Sequence, residues 1–183
     1  RSAVRPSPVF LLLLGVTAAG GVLAWLAGEA RMDNEPIAYA GVFILVIAGW
    51  VVSLCLHEFG HAFTAWRFGD HDAATRGYLS LNPLEYTSPV FSIVLPLLFI
   101  AMGGIGLPGG AVWVRTDTMT KSQRTLVSLA GPLVNLALAV VLLGAVQLFY
   151  RHDHSVFWSG VAFLALLQVM AVVLNILPIP PLD

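Results

Sequence analysis

Long apolar runs alternate with short polar stretches along this chain. Residues 9–27 carry no charged side chain, and such a run spans the roughly 30 Å apolar layer of a bilayer as a helix. A polar loop follows at 28–36, with Glu29, Arg31, Asp33 and Glu35. Residues 37–67 read as one helix, about 46 Å long at about 1.5 Å per residue and thus longer than that layer. Residues 69–88 are polar and rich in turn formers, and within them 77–84 (GYLSLNPL) read as a short extended segment. Residues 89–107 are apolar but broken by Pro96 and by the Gly103-Gly104 pair. The loop at 108–124 contains a short β-like piece, AVWVR at 111–115. Two further membrane helices are predicted at 126–149 and 156–177. The last stretch, NILPIPPLD at 175–183, has prolines at 178, 180 and 181, which stop a helix and impose extended backbone. The pattern predicts an all-α membrane protein: a polytopic helical bundle of four full transmembrane helices, with one re-entrant or interfacial apolar segment and a short β-like stretch.

Composition agrees. Hydrophobic residues make up 58% of the chain and charged residues 10%, a balance that a water-soluble surface does not tolerate. The 183 residues fit one membrane-embedded domain, with a core at 37–183 and an accessory first helix at 9–27. The sequence begins at Arg1 and stops in mid-motif at Asp183, so it reads as truncated at its carboxyl end. Arg1 and Arg5 precede an apolar run too long for a signal peptide, and further apolar runs follow, so a first membrane helix is the better reading. The net charge of −1 gives no basic surface, which argues against a nucleic-acid partner and leaves the lipid bilayer. The single cysteine, Cys55, rules out an internal disulfide and any multi-cysteine metal site, and reads as packing.

Inside the apolar helix at 37–67 lies LCLHEFGHAFTAW, at 54–66. His57 and His61 are spaced i, i+4, one turn apart on one face. Two neutral imidazoles so placed can reach one metal ion, and Glu58 beside the first can take a proton from a metal-activated water. Ionisable groups at membrane depth are costly and rarely idle. The spacing therefore points to a zinc hydrolase, against the alternative of a polar cluster that packs helices.

A third protein ligand has few candidates. His71, His152 and His154 fall in polar loops and read as solvated, whereas Asp183 closes an apolar, proline-rich segment. For Asp183 to meet His57 and His61, the helices at 37–67 and 156–177 must run in the same direction. That requires 89–107 to be re-entrant or interfacial. The positive-inside rule gives an independent check. With re-entry, Arg1, Arg5, Arg67, Arg76, Arg115, Lys121 and Arg124 face the cytoplasm, and only Arg31 and Arg151 face out. A full crossing would divide the cations almost evenly. The amino terminus and the site are then expected toward the cytoplasmic side of a cell membrane.

The same layout puts Asn135 about 13 Å into its helix, near the inferred depth of the metal. A carboxamide there can stabilise an oxyanion or join two helices.

These motifs resemble the site-2 protease family of intramembrane zinc metalloproteases. Three pieces in order carry the resemblance: HEFGH at 57–61, AGPLVN at 130–135 and NILPIPPLD at 175–183. The piece GYLSLNPLEYTSP before an apolar run is similar to a bacterial subgroup without an obvious PDZ domain. The resemblance implies one Zn2+ per chain, held by His57, His61 and Asp183, with Glu58 as catalytic base. It implies that Asn135 assists substrate or oxyanion binding, and that an extended segment here, through Gly77, Leu79 and Leu81, pairs with unwound substrate. Asn175 belongs to the last motif, as a substrate-side or packing residue. The implied activity is hydrolysis of peptide bonds in or near transmembrane segments of membrane proteins, or of remnant signal peptides. Glu85, Tyr86, Thr87 and Ser88 stand where bacterial relatives often carry His and Asp, so a role for that pair does not carry over. Two other classes compete. A polytopic metal transporter would spread polar groups along a path through the bilayer, and a non-catalytic membrane scaffold would need neither histidine nor Glu58.

Overall fold

A computed structural model describes residues 4–29, 35–86 and 117–176. Four long helices dominate them: α1 (Pro8–Ala27), α2 (Glu35–Arg67), α5 (Lys121–Phe149) and α6 (Ser155–Ile176). All four are long and apolar enough to cross a membrane. Two four-residue helices, α3 (Asp72–Thr75) and α4 (Pro83–Tyr86), lie between α2 and α5, and the described residues contain no strand. Residues 89–107, the β-like piece at 111–115 and Asp183 lie outside the described residues.

The chain divides into two compact units, and α1, α2 and α5 each contribute residues to both. One unit contains α1 from Leu11, α2 as far as Ser53, α5 from Pro132, and α6. Its helices meet through small residues: Ala24, Ala27 and Ala38 pack with Val156, and Leu45 packs with Trp158 and Val161. A Cβ at Gly41 would come within 2.9 Å of the Ala24 Cα, so α1 and α2 touch backbone to backbone, as small residues allow between membrane helices. At the end of α1, Trp25 stacks on His154 with ring centroids 3.6 Å apart, and its carbonyl lies 3.0 Å from His154 Nδ1. His154 is therefore packed rather than solvated, whereas His71 and His152 are exposed.

One polar pair is buried in this unit. Gln168 Nε2 donates to Ser53 Oγ at 2.9 Å, and Ser53 Oγ donates to the Trp50 carbonyl at 2.7 Å. Gln168 Oε1 has no hydrogen-bond partner among the described residues. Ser53→Ala strands the Gln168 amide donor in apolar surroundings, whereas Gln168→Leu removes donor and orphaned acceptor together. Ser53→Ala is therefore expected to destabilise the protein more, by about 1 kcal/mol. Melting of the two variants in detergent checks this, and a larger loss from Gln168→Leu would contradict it.

The other unit contains the amino-terminal residues, α2 from Leu54, α3, α4 and α5 as far as Gly131. Here α2 ends in a Schellman turn: Gly69 N–H donates to the Trp66 carbonyl at 3.1 Å and Asp70 N–H to the Ala65 carbonyl at 3.0 Å. The segment 77–84 departs from its expected extended form. Gly77 and Leu81 take positive φ, 79° and 57°, on either side of a 3-10 turn at Tyr78–Ser80. Asn82 Oδ1 then accepts the Leu84 N–H at 3.2 Å, and Pro83 opens α4. Asn as cap with Pro at the first helical position starts a helix instead of a strand. The Ser7 N–H donates to the Ser80 carbonyl at 2.7 Å, and Leu79 and Leu81 are buried.

α5 begins five residues before the predicted 126, at Lys121. A capping box accounts for this. Thr120 N–H donates to Gln123 Oε1 at 2.9 Å, and Gln123 N–H donates to Thr120 Oγ1 at 3.3 Å. The added turns bring Val127 into a small core with Ala65, Met119 and the partly buried Phe68. That core fixes the start of α5 against the end of α2, where the histidines lie.

Candidate metal centre

His57, Glu58 and His61 sit in the last third of α2 and are 5%, 4% and 8% exposed. The i, i+4 spacing works as the sequence predicts. His57 Nε2 and His61 Nε2 lie 3.1 Å apart, with ring planes at 83°. Two imidazoles on one tetrahedral zinc, each bonded at about 2.0–2.1 Å, place their nitrogens about 3.3 Å apart. The observed separation is close to what one ion needs.

α5 adds two features. His61 Nδ1 lies 2.7 Å from the Val127 carbonyl. A carbonyl only accepts, so Nδ1 must carry the proton, and a neutral His61 then keeps its lone pair on Nε2, facing His57. A backbone acceptor on the far nitrogen is the usual outer support of a metal-ligating histidine. Four residues on, Gly131 covers the pair. A Cβ built there would stand 2.7 Å from both Nε2 and Cε1 of His57, and closer still to His61 Nε2. The two imidazoles thus pack directly on the α5 backbone at Gly131, with no room for a side chain. Two ring nitrogens close to the separation one ion needs, and a tautomer fixed by the Val127 carbonyl, together fit a metal ion.

The other predicted residues divide. Asn135 is buried, on the α5 turn after Gly131. Asn175 lies near the end of α6 and is partly exposed. Gly77, Leu79 and Leu81 fall in the turn before α4, not in an extended segment. Among the described residues no third His, Cys, Asp or Glu completes a metal-binding group with the histidine pair, and Asp183 lies outside them. Cys55 is fully buried, in keeping with packing. Sequence reasoning gave no role to Val127 or Gly131. Gly131 stands within the quoted AGPLVN, four residues after Val127, but that it faces the histidines is seen only in the structure.

Four apolar helices that can span a membrane, with a buried His-Glu-His group near the end of one, define a multi-pass membrane protein of the metallopeptidase type. Residues 42–152 match the model of peptidase family M50. Over all 183 residues the chain is 68% identical to "Putative zinc metalloprotease Rip2" of Mycobacterium tuberculosis and covers 70% of that protein. It is 64% identical to the protein of the same name from Mycolicibacterium smegmatis, again covering 70%. "Putative zinc metalloprotease YwhC" of Bacillus subtilis is 33% identical over 149 residues, 73% of this chain and 62% of the relative. No solved structure matches. The chain belongs to peptidase family M50, the site-2 protease family its motifs resemble.

Proposed function

We propose that this protein is an intramembrane zinc endopeptidase that hydrolyses peptide bonds in or near the transmembrane segments of other membrane proteins. The observation that carries this reading is the pair of histidine nitrogens 3.1 Å apart, beside the buried Glu58 in an apolar helix. One zinc per chain is held by His57, His61 and Asp183. Bound zinc supplies a Lewis acid that polarises the scissile carbonyl and acidifies water. Val127 holds the His61 ring and tautomer through its carbonyl. Glu58 accepts the proton of the attacking water and returns it to the leaving amine. The Asn135 carboxamide donates toward the oxygen that gains charge. A transmembrane helix bonds its own peptide groups, so substrate must unwind before it is cut. A pairing role for Gly77, Leu79 and Leu81 would require their turn to open first. The substrate is a membrane-spanning protein or a remnant signal peptide, cut toward the cytoplasmic side of the cell membrane, a reading supported by the distribution of cations along the sequence.

The test is cleavage of a single-span membrane peptide by protein reconstituted in liposomes. Metal removal with a membrane-permeant chelator is expected to stop cleavage, and zinc returned at about one per chain to restore it. Cleavage at an undiminished rate after verified metal removal would overturn the reading.

A further inference from the structure

We infer that Gly131 is a positioning residue: its lack of a side chain lets the two imidazoles stay at the separation from which both can bond one metal ion. The inference rests on the zinc reading above. Carbon does not approach other heavy atoms within 3.0 Å without something shifting, yet a Cβ at 131 would lie 2.7 Å from the nearer atoms of His57 and nearer still to His61 Nε2. The two imidazoles already pack against the bare backbone of α5 at this position, so any side chain there would have to push them away. The His61 ring cannot easily swing aside, because its other nitrogen is tied to the Val127 carbonyl at 2.7 Å. Backbone conformation gives no reason for glycine. Gly131 lies inside α5 and is not among the positive-φ residues, Gly28, Gly69, Gly77 and Leu81. Mid-helix glycine is itself unfavourable relative to alanine. What the position requires is the absence of a side chain beside the two imidazoles. Gly144, further along the same helix, has nothing within 4 Å of a built Cβ. It supplies the control for any general effect of alanine on the helix.

The experiment compares the parent, Gly131→Ala and Gly144→Ala, purified in detergent. Zinc is counted by elemental analysis, and helicity and melting are recorded with and without chelator. The parent and Gly144→Ala are expected to hold roughly one zinc per chain and to melt lower once it is removed. Gly131→Ala is expected to keep parental helicity, to bind zinc at least about tenfold more weakly, and to melt at the same temperature with or without chelator. Full zinc in Gly131→Ala would overturn the inference and leave the zinc reading standing. Equal loss from Gly144→Ala would also overturn it, and absence of zinc from the parent would overturn both. If Gly131→Ala does not fold, the triple variant with His57→Ala and His61→Ala decides. Recovered helicity supports crowding against the imidazoles, and continued misfolding refutes it.

Discussion

Glu58→Gln is expected to slow peptide cleavage by about a hundredfold to ten-thousandfold, the usual worth of a positioned general base, while zinc stays at about one per chain. The amide keeps the shape of the carboxylate but cannot take a proton at neutral pH. Glu58 is 4% exposed in the last third of α2, next to a ligand candidate rather than on the ligand face itself. Its loss should therefore spare the pair of nitrogens 3.1 Å apart. A buried carboxylate that only packed helices would give a different result: Gln would shift the melting temperature and leave the rate near parental. Measuring rate, zinc content and melting on the same preparation separates the two. A rate within about tenfold of the parent, with zinc retained, would remove Glu58 from the proposed chemistry.

How far the sequence already contained this site depends on the range of the interactions involved. The start and end of α1, α2 and α6 lie within two residues of the predicted spans, because uncharged length in a bilayer is a local property. The histidine pair was legible for the same reason, since i, i+4 geometry belongs to one helix. The early start of α5 was also local, written in Thr120 and Gln123, but the apolar pattern hid it because Lys121 and Arg124 interrupt the run. The segment 77–84 read as extended, and the Asn82-Pro83 start signal prevailed over that reading. The bond from His61 to Val127 spans 66 residues. It depends on how α5 is set against α2, which the core of Ala65, Met119 and Val127 decides. No spacing rule reaches across that distance. Gly131 is visible in the sequence, but the reason for it exists only once both helices are in place.

Loss of a ligand gives the second large effect. Zinc bound by a full set of protein ligands is worth about 10–16 kcal/mol, so removing one of three is expected to cost several kcal/mol, about a thousandfold in affinity. His57→Ala and His61→Ala should both come through purification with far less than one zinc per chain. The two need not be equal. His61 is held from behind by the Val127 carbonyl and is already set to present Nε2, so less ordering accompanies its bond to the ion than if the ring were loose. Asp183→Ala carries the most information, because Asp183 entered the site through its place at the end of an apolar, proline-rich segment and through the family resemblance, not through contact. The direction of two helices was inferred from it. Zinc lost in this variant as completely as in the histidine variants would support three protein ligands and, with them, a segment at 89–107 that does not fully cross the bilayer. Zinc kept by Asp183→Ala but lost from both histidine variants would leave the pair on α2 as the metal centre, transfer the third position to another group, and take away the main reason for the inferred topology.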